Sequence, residues 1–163
     1  MTNVRLATLA ATFAVTAMTV LSAMPAQAKD FECDFRKFRK AQEITGPALI
    51  AEVPKSMTPI PLNAVKVLDK SIAKKVLVQA LYARQTETGT LEVKARLLNC
   101  TDYPLQVEGR SSFMDGTQFP LEDTSSWNRV FLPPHSLGVY SEKSISSMRQ
   151  GLSYYLIELR EGD

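Results

Sequence analysis

Histidine is almost missing from this chain: His135 is the only one among 163 residues. Cysteine and tryptophan are nearly as scarce, at two and one. A zinc or other transition-metal site draws several His, Cys or carboxylate ligands from fixed spacings, and one His with two distant Cys does not supply them. A general base needs a positioned partner and a nucleophile beside it. His135 stands instead in Pro133-Pro134-His135-Ser136, a Pro-rich turn. No Gly-x-Ser-x-Gly elbow and no Gly-rich phosphate loop occurs. Asp115, Glu122 and Asp123 cluster, but without the alternating oxygen ligands of a calcium loop. These gaps predict a protein with no catalytic residues, no metal site and no cofactor. Charge of one sign is also lacking. The formal net charge is +2, with no basic stripe of the kind that nucleic-acid binders carry, so no nucleic-acid partner is expected.

The one long hydrophobic run comes first. Arg5 is followed by Leu6 to Ser22, rich in Ala, Leu, Val, Phe and Thr, and then by Pro25 and Ala26-Gln27-Ala28. A cationic start, an apolar middle and a small-x-small site make a secretory signal. Residues 1–28 are therefore expected to be cleaved, leaving a mature chain from Lys29 with a formal net charge of about +1. No Cys stands at the cleavage point to carry a lipid, and no later segment is apolar enough to span a bilayer as a helix. The expected location is the periplasm.

In an exported chain the even pair Cys33 and Cys100 suggests one disulfide. Two unpaired thiols, one of them free to link to a partner, are the alternative. Near Cys33 lies the one basic cluster, Arg36, Lys37, Arg39 and Lys40, interleaved with Phe31, Phe35 and Phe38. Residues 29–40 could form a short helix or an extended arm, and the cluster reads as a solvated face or as a contact for anionic lipid or glycan. Pro54, Pro59 and Pro61 follow and read as an extended linker. Residues 29–63 are thus expected to be an N-terminal arm and linker, and residues 64–163 the folded domain.

From Ala64 the pattern is mostly period two. The stretch Val76 to Tyr82 also satisfies a helical spacing and stays ambiguous. Leu91, Val93, Ala95 and Leu97 alternate cleanly with Glu92, Lys94 and Arg96, which is a half-buried strand. Gly89 marks a hairpin turn before it, and Asp115-Gly116 marks a turn after the strand from Leu105 to Phe113. Strands are also read at Trp127 to Leu132, at Leu137 to Ser141 and at Tyr154 to Arg160, with one or two helical turns over Ser144 to Gln150. About seven short strands with turns every 8 to 12 residues predict a mainly β fold, a single β-sandwich with room for one short helix. Trp127 and the other aromatics are expected to fill the space between the sheets.

Residues 69–160 resemble the YcfL-like family of bacterial envelope proteins. The resemblance is carried by Ala73-Lys74-Lys75-Val76-Leu77-Val78, by Gly89-Thr90-Leu91-Glu92-Val93 leading to Leu98-Asn99, and by Pro104-Leu105-Gln106-Val107. It continues through Phe113-Met114-Asp115-Gly116 to Trp127-Asn128-Arg129-Val130-Phe131-Leu132-Pro133-Pro134 and Tyr155-Leu156-Ile157. It implies an immunoglobulin-like β-sandwich in the periplasm, with no known enzyme activity. The chain departs from the family in lacking a lipobox, so membrane tethering is not carried over.

The expected function is a periplasmic interaction module, an accessory or structural part of an envelope complex in secretion, conjugation or cell-wall work. Its expected partner-binding residues are Phe119 and Leu121 in the loop 115–126, Tyr154 and Leu156 on the last strand, and Arg36 and Lys37 in the arm. Leu156 has the alternative of packing under Ser144 to Gln150. A glycan- or small-ligand-binding sandwich is the other reading, with Tyr103, Trp127, Tyr154 and Tyr155 as stacking faces.

Overall fold

Alternating apolar and polar residues become the long strands of a two-layer sandwich. The computed structural model describes residues 32–50 and 56–162, and the expected signal and its cleavage site lie outside them. In chain order come α1 (Arg36–Gln42), β1 (Ala48–Leu49), β2 (Thr58–Ile60), β3 (Val65–Val67), β4 (Val76–Gln85), β5 (Thr90–Asn99), β6 (Leu105–Met114), β7 (Asn128–Leu132), β8 (Leu137–Ser147) and β9 (Tyr154–Glu161). One sheet runs β1-β9-β6-β7, with β3 also paired to β9, in parallel; the other runs β2-β4-β5-β8. All other pairings are antiparallel. Neighbours β5 and β8 lie in one sheet and β6 and β9 in the other. This is a Greek-key interlock of two sheets, which makes the fold the expected β-sandwich. Among the described residues no helix is long and apolar enough to cross a membrane.

The core is the set of inward positions. Leu91, Val93, Ala95 and Leu97 of β5 face Val107 and Phe113 of β6, with Tyr155, Ile157 and Leu159 of β9 beside them. Tyr140 is the largest inward group of β8 and reaches across to Gly109, where a Cβ would stand 2.6 Å from its ring. Glycine is therefore required at that position in β6 by close packing. Two bulges adjust the pattern. Register shifts between Val78 and Ala80, so the buried face of β4 moves from Val76 and Val78 to Leu81 and Ala83. That shift is why the segment satisfied a helical period as well. A second shift lies between Thr90 and Glu92, where the Leu91 amide donates to the buried Ser144 hydroxyl at 2.9 Å.

Several expectations change here. The described residues form nine strands rather than about seven, because the arm contributes β1 and β2 and the short β3 forms beside β9. Segment 144–150 is mostly strand. Ser144 spends its hydroxyl on the β5 backbone and on Ser146 O, so β8 runs to Ser147 and only Met148–Gln150 makes a 3-10 turn. The described part of the arm is not separate from the sandwich. Pro59 sits in β2, an edge strand that tolerates its missing N–H. Helix α1 contacts β3 of one sheet and β4 of the other and closes that side with Phe38, 1% exposed. Burying that ring stabilises by about 1.5–3 kcal/mol. Cys33 and Cys100 form a disulfide that ties the start of α1 to the β5–β6 turn. A closed loop of 67 residues is worth about 4 kcal/mol in lost chain entropy of the unfolded state.

Candidate interaction site

Strand β6 separates two ends of the molecule. At one end lie the disulfide and the turns after β5 and β7; at the other lie loop 115–126, the start of β9 and the β4–β5 hairpin. Loop 115–126 is built on its own side chains. The Asp115 carboxylate accepts from the Thr117 amide at 2.8 Å, the Thr117 hydroxyl at 2.7 Å and the Phe119 amide at 3.1 Å. These bonds, the Thr117 hydroxyl foremost, hold its carboxyl below the usual range. The Phe119 carbonyl accepts from the Asp115 amide at 2.9 Å, and Met114 bridges to Pro120. Glu122 then accepts from the Ile145 amide at 3.1 Å and from the Ser146 amide, which pins the loop to β8. The loop is thus fixed by hydrogen bonds at both limbs, and it leaves Phe119 70% exposed.

At the same end stand Leu49, 60% exposed and opposite Tyr154 in the β1-β9-β6-β7 sheet, and Ile145, 86% exposed on β8 of the other sheet, its amide bound to Glu122 of the loop. Of the expected partner-binding residues, the structure brings Phe119 and Tyr154 to this end, through the Met114 pairings to Pro120 and to Tyr154. Leu121 is partly buried against the core and supports the loop rather than presenting a face. Leu156 is half-buried opposite Ser112 on the outer face of its sheet. Arg36 and Lys37 are elsewhere, exposed at the start of α1, three and four residues from Cys33, and Arg36 is bound to Asp34 at 3.0 Å. Leu49 and Ile145 were not singled out from the sequence. Ile145 was hidden by the helical reading of 144–150, although it extends the outward series Val139, Ser141 and Lys143.

The aromatic side chains do not make a stacking platform. Tyr155 is fully buried, which pushes its phenol well up, and its hydroxyl has no hydrogen-bond partner among the described residues. Tyr140 is pushed up to about 12 by burial, against the opposing hydrogen bond with Ser111 at 2.9 Å. Trp127 is not in the core. It lies half-buried on the outer face of the β9-β6-β7 sheet, with the guanidinium carbons of Arg110 and Arg160 at 4.4 and 4.1 Å from its ring centroid. Strand pairing explains the placement. Inward positions of β7 go to Val130 and Leu132, so Trp127, Arg129 and Phe131 face out. Glu108 completes this ladder, accepting from Arg160 at 2.7 Å and from Arg129 at 3.0 Å, and these bonds hold its carboxyl low. Arg110 pairs with Glu158 at 2.7 Å. Tyr103 is half-exposed, 5.9 Å from the Lys75 ammonium.

His135 meets Asp102 at 2.7 Å on the surface, while the neighbouring Ser136 hydroxyl donates to Pro133 O. No group of three or more His, Cys, Asp or Glu gathers as a metal site among the described residues.

No family model matches the chain, and no curated protein matches it. Two solved structures are similar to it. The crystal structure of Campylobacter jejuni cj0090 aligns with a TM-score of 0.46 and 16% identity, over 61% of this chain and 98% of that one. A DUF1425 family member from Shewanella sp. pv-4 aligns with a TM-score of 0.42 and 12% identity, over 72% and 97%.

Proposed function

We propose that this chain is an exported, non-enzymatic protein-interaction module of the cell envelope, working in the periplasm. It docks a partner protein through the end that carries Leu49, Phe119 and Ile145. The observation behind this reading is Phe119 itself: a large apolar side chain held in solvent by a loop whose two limbs are hydrogen-bonded through Asp115 and Glu122. Holding an exposed aromatic on an ordered loop lowers the entropy cost of binding, and such anchors dominate protein interfaces. The signal pattern of residues 1–28 and the YcfL-like resemblance of residues 69–160 support an envelope location.

The test is crosslinked capture of the full chain, tagged at its C-terminus, from intact cells, beside a Phe119→Asp, Ile145→Asp variant. Both substituted positions are exposed, so the fold is expected to hold. One specific envelope protein should be enriched with the parent chain and fall at least about tenfold with the variant, as expected for loss of a hot spot. Equal capture by both chains, or none by the parent, overturns the docking assignment. Intact mass of the captured chain reads location at the same time: a chain starting at Lys29 in the osmotic-shock fraction supports export, and an unprocessed cytoplasmic chain overturns it.

A further inference from the structure

The outer face of the β2-β4-β5-β8 sheet is the most cationic surface that the strand register defines. Inward positions on β5 are Leu91, Val93, Ala95 and Leu97, so Glu92, Lys94 and Arg96 point out. Register places Arg84, Glu92 and Lys143 in one row, Tyr82, Lys94 and Ser141 in the next, and Ala80, Arg96 and Val139 in the third. Four cations thus share the face with one carboxylate. Glu92 is already committed, to Lys94 at 2.9 Å and to Arg84. Arg96 and Lys143 are exposed and have no carboxylate partner among the described residues. Beside Arg96 runs a shallow groove of about 320 Å³ lined by Met57, Tyr82, Lys94, Arg96 and Val139, the last 53% exposed.

We propose that this face binds an extended acidic segment of a protein, with carboxylates on Arg96 and Lys143 and an apolar side chain in the groove between Tyr82 and Val139. The spacing fits. Arg96 and Lys143 are four residues apart along the strands, roughly 13 Å at about 3.3 Å per residue. An extended segment repeats its same-face side chains every second residue, so i and i+4 reach the two cations without a carboxylate partner and i+2 falls over the Lys94 row, whose lysine lines the groove. Glu92 within the face disfavours a uniformly anionic polymer, which would set charge against it. This contact does not depend on docking at Phe119, and the two surfaces meet only at Ile145.

The probe is a synthetic peptide of repeated Glu-Ser-Leu-Ser units, followed by amide shift changes in the full mature chain. Saturable shifts centred on Arg96, Val139 and Lys143 are expected. Affinity should fall at least about tenfold when Gln replaces Glu in the peptide, or in an Arg96→Glu, Lys143→Glu variant, and should weaken with added salt. Phe119→Asp should leave it unchanged, which separates this surface from the loop end. Absence of shifts, equal binding of the Gln peptide, or unchanged binding by the charge-reversed variant overturns the proposal. So does equal charge-dependent binding of polyglutamate or of phosphatidylglycerol vesicles, which would assign the face to a uniformly anionic partner.

Discussion

Asn99 shows what one residue can hold. It is fully buried, and its Nδ2 donates to Tyr103 O at 2.8 Å and to Leu132 O and Pro133 O at 3.0 Å each. Its Oδ1 accepts from the Thr101 amide at 2.9 Å and the Thr101 hydroxyl at 2.8 Å. One side chain therefore ties the β5–β6 turn to the β7–β8 turn, beside the disulfide. Backbone carbonyls left without a donor away from water cost about 1–3 kcal/mol. Asn99→Ala is expected to lose about 2–3 kcal/mol in urea unfolding, and Asn99→Asp at least as much, since a carboxylate has no proton to give three carbonyls. A loss under about 0.5 kcal/mol would mean that the turns hold independently. The sequence marked Asn99 only as one of the residues that carry the resemblance, and not its partners on β7, which the sheet alone brings near.

Edges decide behaviour at the scale of elements. Strand β3 is three residues long and pairs with β9 on one side. On its other side the Gln42 side chain acts as a short substitute strand: its amide donates to Val65 O at 2.7 Å and its oxygen accepts from the Val67 amide at 3.1 Å. An open edge that would invite pairing with another chain is closed this way. Gln42→Ala should speed hydrogen exchange at the Val67 amide and cost about 1 kcal/mol. Unchanged exchange there would show the edge to be protected by α1 alone. The helix itself, seven residues with no side-chain cap at Phe35, is too short to persist in isolation. The sequence left residues 29–40 open between a short helix and an extended arm, because Phe38 orders the helix only against β3 and β4.

For the whole molecule, residues 32–50 and 56–63 belong to the same compact unit as the described residues that follow. They supply Phe38 and Ile50 to the core, pair β1 with β9 and β2 with β4, and carry the cysteine that bonds Cys100. A chain starting at Ala64 is therefore expected to lose cooperative unfolding and the near-ultraviolet circular dichroism of its buried aromatics, because two large apolar side chains and a crosslink go together. A sharp two-state transition in that truncation would restore the arm as a separate segment.

Local chemistry determined much of this protein by itself. Period-two alternation set the strands β5, β6 and β9 with their inward faces, Gly89 and Asp115-Gly116 set turns, and the scarcity of ligand residues left little from which to build a metal site. Those features depend on neighbours in the chain, so they can be read from it. Tertiary structure alone decided that Trp127 lies outside against Arg110 and Arg160, that Tyr155 is inside, and that Phe119 and Ile145 share one end. It also decided that Arg96 and Lys143 share one face. Each of these placements depends on which strand pairs with which and where a bulge shifts the register, and such pairings join residues too far apart in sequence for any local pattern to specify.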